Sequence, residues 1–315
     1  MPVLRNNRQI LKEGETITTG NLQAGGILAP EQASKFLKQT FDATPLGNLV
    51  RHEIKKSKTG EIDKIGVGRR LLRKKVENSD DGYRADVKHG KVEYTCTNGR
   101  LPWEITEDTF RENIEGQNYE RVVTDLMTAR LGCDLEDIYL NGDTDTPEED
   151  PDHDFLYQND GWIKQLKNGS HIVDCTSVSA GLVTLDTFYR ALRAIPNKYN
   201  NGMLRWLMSP HRMQEWERYI LNQAVTAGGI ITDKRVENPA AVPVVPVPAM
   251  PDDCMILTNP KNLITVNTYG VVIRKTTEGK DAIMQDKRFY VIHLDFDAII
   301  EELDAAAIIT GLAAI

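Results

Sequence analysis

The stretch that most constrains this chain is "GQNYERVVTDLMTARLGCDLEDIYLNGD", residues 116–143. From Gln117, Val122, Val123, Leu126, Met127, Ala129, Cys133 and Ile138 recur at three- and four-residue spacing up to Leu140, the repeat of an amphipathic helix. At 1.5 Å per residue such a helix is about 35 Å long. Asn141-Gly142 then offers residues that tolerate a left-handed C-terminal cap. Whatever the fold, it must present a surface long enough to cover one face of that rod. Just upstream, Thr109 with Glu112 has capping-box spacing for a short helix, which Gly116 breaks.

Elsewhere the chain carries β-structure. "GKVEYTCTNGRLPWEI" reads as a strand alternating at Val92, Tyr94 and Cys96 before Asn98-Gly99. The last third is β-rich, most clearly at Val271–Ile273 and Phe289–Phe296. Between the rod and that region, short strands and helices alternate: "HIVDC", "VTLDTFYRALRAIP", "LRWLMSP" and "HRMQEWERYIL". "PAAVPVVPVPAMP" must be extended and cannot lie centrally in a sheet, because proline lacks a ladder donor. Before all of this, residues 1–30 form a polar arm, and "EQASKFLKQTFD" spaces Ala33, Phe36, Leu37 and Phe41 for one apolar helix face. The fold class is α+β, with 315 residues allowing one large or two ordinary domains.

Residues 51–95 differ in kind. They hold thirteen Lys and Arg against eight Asp and Glu, a net +5, so the rest of the chain carries −13 of the total −8. Their apolar residues are too few for a core, which predicts a long β-hairpin resting on something else. Its basic run "RRLLRKK" (Arg69, Arg70, Arg73, Lys74, Lys75) has three readings: a nucleic-acid patch, a solvated face, or a surface matching the acidic surplus of an identical copy.

After the rod, seven carboxylates fall within residues 143–154. A calcium loop needs glycine at its sixth position and a bidentate acid at its twelfth. Here those positions are Glu148 and Asp154, so a solvated turn is the better reading. The chain lacks the nucleophile-elbow, phosphate-loop, zinc-protease and dinucleotide motifs, and its six histidines are dispersed. No catalytic residue, metal site or cofactor is expected, and the chain reads as a non-enzyme. Four cysteines without a CxxC pair indicate free thiols. No apolar run approaches the length of a membrane span, and the first twenty residues lack the apolar core of a secretory signal.

Taken in order, "WEITEDTFRENIEGQNYERVVTDLMTARLGCDLEDIYLNGD", "LRWLMSPHRMQEW", "CMILTNPKNLITV" and "FYVIHLDFDAIIEELDAAAIITGL" resemble the major capsid proteins of tailed bacteriophages, the Hong Kong 97 fold. That resemblance implies an N-terminal arm with a short helix (1–50) and an extended loop (51–95). It further implies a peripheral domain with a spine helix (96–154 and 263–315) and an axial domain (155–262). It implies a structural protein of the virion, assembled in the bacterial host cytoplasm from many copies in pentamers and hexamers. The icosahedral shell would enclose double-stranded DNA without sequence-specific binding. Scaffolding, portal and decoration proteins are the implied partners; a membrane is not.

Arg69, Arg70, Arg73, Lys74 and Lys75 are then candidates for contact with a neighbouring subunit. Asp143, Asp145, Glu148, Glu149 and Asp150 are the candidate acidic patch that receives them. Family members often carry a removable N-terminal scaffolding region; the short arm here implies a separate scaffolding protein or none. An encapsulin-type protein compartment is the alternative within the same fold. Outside it stand a hydrolase using the acids of 143–154 and a nucleic-acid-binding module using 69–75.

Overall fold

The computed structural model describes residues 44–66, 72, 74, 84, 87–112, 119–169, 171–226 and 238–314. The arm and its expected helix, up to residue 43, lie outside the described residues.

One five-stranded sheet is organised on β11 (Lys287–Ile300), a 14-residue strand rich in β-branched and aromatic side chains. On one side β11 pairs antiparallel with β4 (Thr97–Thr106), from Lys287 opposite Thr106 to Phe296 opposite Thr97. On the other it pairs with β10 (Val272–Thr276) and then β9 (Leu263–Thr268), to which β1 (Arg51–Lys55) adds in parallel. Asn98-Gly99, expected to close a strand, instead lies inside β4. Asn98 donates to Asp295 (2.9 Å), and Gly99 lies where a Cβ would come within 2.8 Å of the Phe296 ring. The glycine serves close approach, not a turn.

Alternation gives β11 two faces. Tyr290, Ile292, Leu294, Phe296, Ala298 and Ile300 share a core with Leu131, Leu135, Ile138 and Tyr139 of the long helix α2 (Tyr119–Asn141). The extent of this helix matches the sequence reading within two residues, but its buried face does not. Leu126 and Cys133 are exposed, whereas Glu120, Thr124 and Glu136 are buried. The helix carries two apolar stripes, and periodicity alone cannot say which one meets the sheet. Polar residues on the buried side are tolerated because each is partnered. Thr124 donates to the Glu120 carbonyl (2.8 Å), Glu120 pairs with Lys275 (2.7 Å) and Arg288 (3.4 Å), and Glu136 accepts from Leu46 N (3.2 Å).

Two helix-end readings are corrected. The short helix α1 (Glu107–Glu112) is capped by Thr106, whose hydroxyl accepts from Thr109 N (3.3 Å), so Thr109 is not the cap. At the end of α2 neither Asn141 nor Gly142 has a positive φ. Gly142 is required instead because residues 159–161 cross the helix end. A Cβ there would lie 2.3 Å from Asn159 O and 2.7 Å from Ile138 O.

The predicted hairpin forms from β2 (Thr59–Gly66) and β3 (Lys88–Thr95), paired from Thr59 opposite Thr95 to Gly66 opposite Lys88. Its base lies on its own sheet, with Ile62, Tyr94 and Cys96 packed on Ile264, Val266 and Ile299. Arg51–Lys55, expected within the extended loop, belongs to the first sheet as β1.

The second sheet runs β5 (Ile172–Asp174), β12 (Ala306–Thr310), β8 (Met255–Thr258), β6 (Arg205–Met208), β7 (Val244–Pro246). Helix α3 (Trp162–Lys167) lies at the end of α2, while α4 (Leu185–Ala194) and α5 (Pro210–Thr226) pack on this second sheet. Phe188 of α4 sits edge-on to Trp206 (4.8 Å) and Trp216 (5.0 Å). The proline-rich stretch contributes β7, an edge strand, as its missing donors require. β12 falls within 263–315 but pairs into this sheet rather than the first. Ala306–Ile309 is wholly apolar and buried, so it needs an interior place between two strands.

Candidate assembly surfaces

Two carboxylates on the second face of β11 hold the root of the hairpin. Asp297 Oδ2 accepts from Thr95 N (2.8 Å) and its Oδ1 from Ala298 N (2.8 Å). Asp295 accepts from Asn98 Nδ2 (2.9 Å), Thr268 Oγ1 (2.8 Å) and Lys58 Nζ (3.0 Å). The two acids titrate in opposite directions. Burial pushes Asp297 above the usual carboxylate range despite its two backbone donors. Burial also opposes ionisation of Asp295, but Asn98, Thr268 and Lys58 together hold it below that range. Farther along, Lys64 reaches Glu302 (2.9 Å) and the Glu301 carbonyl (3.1 Å). The alternation "LDFDAII" in an otherwise apolar strand was the available signal for both acids, and the sequence reading did not use it.

Arg69, Arg70, Arg73 and Lys75 lie outside the described residues; Lys74 is exposed, and Leu72 beside it is 96% exposed. The acidic loop resolves into two parts. Lys164 of α3 pairs with Asp143 (2.8 Å), Asp145 (2.7 Å) and Asp160 (2.8 Å). Partial burial works against ionisation, but Lys164 holds Asp143 and Asp160 below the ordinary carboxylate value, and they hold its ammonium above the ordinary lysine value. Glu148, Glu149 and Asp150 remain exposed. Lys164 was missed from sequence, although the Asp160–Lys164 spacing of four on a helix start could have revealed it. Among the described residues, no group of three His, Cys, Asp or Glu could hold a metal ion, and no helix is long and apolar enough to cross a membrane.

Two further clusters fix the rod. At its start, Arg288 pairs with Glu107 of α1 (3.0 Å) and joins Lys275 on Glu120. Near its end, Glu136 receives the entering chain at Leu46 N, and His52 bridges Thr265 Oγ1 and Gly47 O, each at 2.6 Å. Apolar side chains left in water include Ile283 and Met284 on α6 (Lys280–Gln285), and Leu182, Leu185 and Tyr189 at and just before the start of α4. Such clusters mark contact surfaces more often than chance exposure.

No family model matches the sequence. The chain is 27% identical over 323 residues to the putative prophage capsid protein YqbE of Bacillus subtilis (strain 168), covering 96% of this chain and 97% of that one. Among solved structures it resembles the satellite phage P4 procapsid that includes the size-determination protein Sid. That match has a TM-score of 0.67 at 14% identity, over 89% of this chain and 99% of that one. It also resembles the SrpI encapsulin of Synechococcus elongatus PCC 7942, with a TM-score of 0.52 at 13% identity, over 97% and 94% of the two chains. With the long helix, the central β11 and the projecting hairpin in place, the chain folds as a tailed-bacteriophage major capsid protein of the Hong Kong 97 type.

Proposed function

We propose that this chain is the major capsid protein of a tailed bacteriophage, a non-enzymatic component of the virion whose copies build an icosahedral shell around double-stranded DNA. The observation that carries this reading is the hairpin: a charged projection without a core, clamped at its root by buried groups, in a chain similar along 96% of its length to a putative prophage capsid protein. A clamped root and a charged tip suit a clasp laid across a neighbour. The first sheet with α2 serves as the peripheral domain and the second sheet with α4 and α5 as the axial domain around the ring axes. Assembly takes place in the host cytoplasm, with scaffolding and portal proteins as partners.

The clasp pairs Arg69, Arg70, Arg73, Lys74 and Lys75 with acids of the next subunit. Because Lys164 already occupies Asp143 and Asp145, Glu148, Glu149 and Asp150 are the receiving groups. Electron microscopy of the purified protein tests the shell. A monomer or dimer at every concentration and salt tried, with scaffold supplied, refutes it. Deleting 69–75 should impair assembly while leaving the fold intact; wild-type shells from that deletion refute the clasp. The encapsulin reading predicts particles filled with protein rather than DNA, and the contents of purified particles decide between the two.

A further inference from the structure

The hairpin of β2 and β3 has two faces, because side chains alternate along each strand. One face, with Ile62, Val92 and Tyr94, lies on the sheet of its own subunit. The other points into water: Glu61 stands opposite Glu93 and Asp63 opposite Lys91, and all four are exposed. Lys91 pairs with Glu61, whereas Asp63 and Glu93 have no ion pair among the described residues. Three carboxylates against one lysine make this face acidic, although residues 51–95 as a whole are basic. Like charges directly opposite one another weaken a strand pair, so Glu61 and Glu93 do not serve the hairpin's own stability.

A surface of opposite sign lies on the first sheet. The hairpin packs on the face away from α2 at Ile264, Val266 and Ile299. Farther along β11, Phe289, Val291 and His293 point to that same face. Their partners on β4 and β10 are Glu104 and Thr276, Pro102 and Arg274, and Arg100 and Val272. Phe289 and Val291 are half-buried and belong to none of the buried cores. Arg100 and Arg274 are exposed and have no ion pair among the described residues, while Lys287 pairs with Glu104 (2.7 Å). Three cations against one carboxylate thus surround an apolar centre.

We propose that the acidic face of the hairpin in one copy lies on this basic face in the next copy. Asp63 and Glu93 meet Arg100 and Arg274, and the ribbon covers Phe289, Val291 and Pro102. The occupant is a second copy because the acidic face points away from its own sheet. It cannot turn toward its own Arg274 without giving up the packing of Ile62 and Tyr94. The two faces match in sign and in number, three charges against one on each side. This contact is separate from the one assigned to residues 69–75, and it rests on the reading of the chain as a shell protein.

A cycle of charge reversals tests it in the purified full-length chain. Asp63→Lys/Glu93→Lys and Arg100→Glu/Arg274→Glu should each raise the concentration at which shells appear by at least about tenfold, because like charges then meet at every copy. The chain carrying all four changes should return to within about threefold of wild type, which a misfolded chain could not do. Urea midpoints of the unassembled subunits should stay unchanged throughout. Assembly unaltered by either pair, or two impaired pairs without rescue, overturns the contact. If Arg100→Glu/Arg274→Glu assembles normally but loses binding of a double-stranded DNA oligonucleotide, the basic face belongs to nucleic acid and the contact is overturned. Wild-type shells are scored first by microscopy. Their absence refutes the shell reading and this contact with it; their presence with any of the adverse results above refutes this contact alone.

Discussion

Asp295 tests whether the hairpin is held by its root. Its side chain is only 6% exposed and accepts from Asn98, Thr268 and Lys58. Asp295→Asn keeps an oxygen toward Asn98 and Lys58 and turns an amide toward the Thr268 hydroxyl, which can accept it, so chiefly the charge is lost. Lys58 is 58% exposed, and an ion pair with one partner that well solvated contributes about 1 kcal/mol at most. Asp295→Ala also strands the buried Thr268 hydroxyl, a further loss of about 1–3 kcal/mol. The expected cost of the alanine variant is therefore about 1–4 kcal/mol in total.

The pH dependence of the Asp295 variants has a definite sign. The folded-state pKa of Asp295 is depressed. Its charge therefore stabilises the fold fully above the unfolded aspartate value, about 3.9, and ceases to as pH falls through the lower folded value. The gap between wild type and Asp295→Asn should be flat from neutrality to about pH 5 and close below pH 4. The gap to Asp295→Ala should persist in part, because Thr268 stays stranded. Urea unfolding of the unassembled subunit across that range measures both gaps. Hydrogen exchange over Thr59–Gly66 and Lys88–Thr95 reports the hairpin directly. Unchanged hairpin exchange in Asp295→Ala, or an asparagine variant as costly as alanine at every pH, refutes the root.

Gly142→Ala must displace the backbone at Asn159 or Ile138; a loss of about 2–4 kcal/mol is expected by urea unfolding, and a loss below 0.5 kcal/mol contradicts the close approach. Glu136 is raised by burial despite its bonds from Thr44, Leu46 and Gly47, so its contribution is fully present below the unfolded glutamate value, about 4.3, and lost as pH rises through the folded one. Above that window Glu136→Gln, which still accepts from Leu46 N, should be neutral or stabilising by up to about 1 kcal/mol, whereas Glu136→Ala should cost about 1–3 kcal/mol; the reverse order in a melting experiment contradicts this. Asn262 Nδ2 donates to Glu302 O (2.9 Å) and its Oδ1 accepts from Glu302 N (2.9 Å), tying the link 259–262 to the link 301–305 between the two sheets. Asn262→Ala should cost about 2 kcal/mol and broaden the size distribution of particles; uniform shells refute a role in fixing the angle between the sheets.

The parts of the fold legible in sequence are those set by local periodicity. The rod, the hairpin, "LRWLM", the helix after it and the edge placement of the prolines all follow from spacing within one element. What was illegible depends on contacts between distant elements. Gly99 and Gly142 look like turn residues, and only the approach of Phe296 and of residues 159–161 shows otherwise. The face of α2 was misread because both of its stripes are apolar, and the choice between them is made by β11. Lys164, Asp295 and Asp297 acquire their roles only when the chain brings partners from the turn before β2, from β3 and from the acidic loop to them.

The same contacts seat the described strands of the hairpin on the subunit's own sheet. Up to Gly66 and Lys88 the strands are held by the subunit itself, through Ile62 and Tyr94 on the sheet and through the two carboxylates of β11. Beyond those strands the described Lys74 is exposed to water. The two regions respond to different conditions. Exposed charges at the tip act through water and are screened beyond about 8 Å at physiological salt. At the root the hydrogen bonds to buried Asp295 and Asp297 respond little to salt, though the pair with exposed Lys58 does, and the two acids are held on opposite sides of the usual carboxylate value. Salt should therefore weaken the proposed contact between subunits more than the seat of the hairpin, whereas in acid the loss of Asp295's contribution is opposed by the protonation of Asp297, which favours the fold.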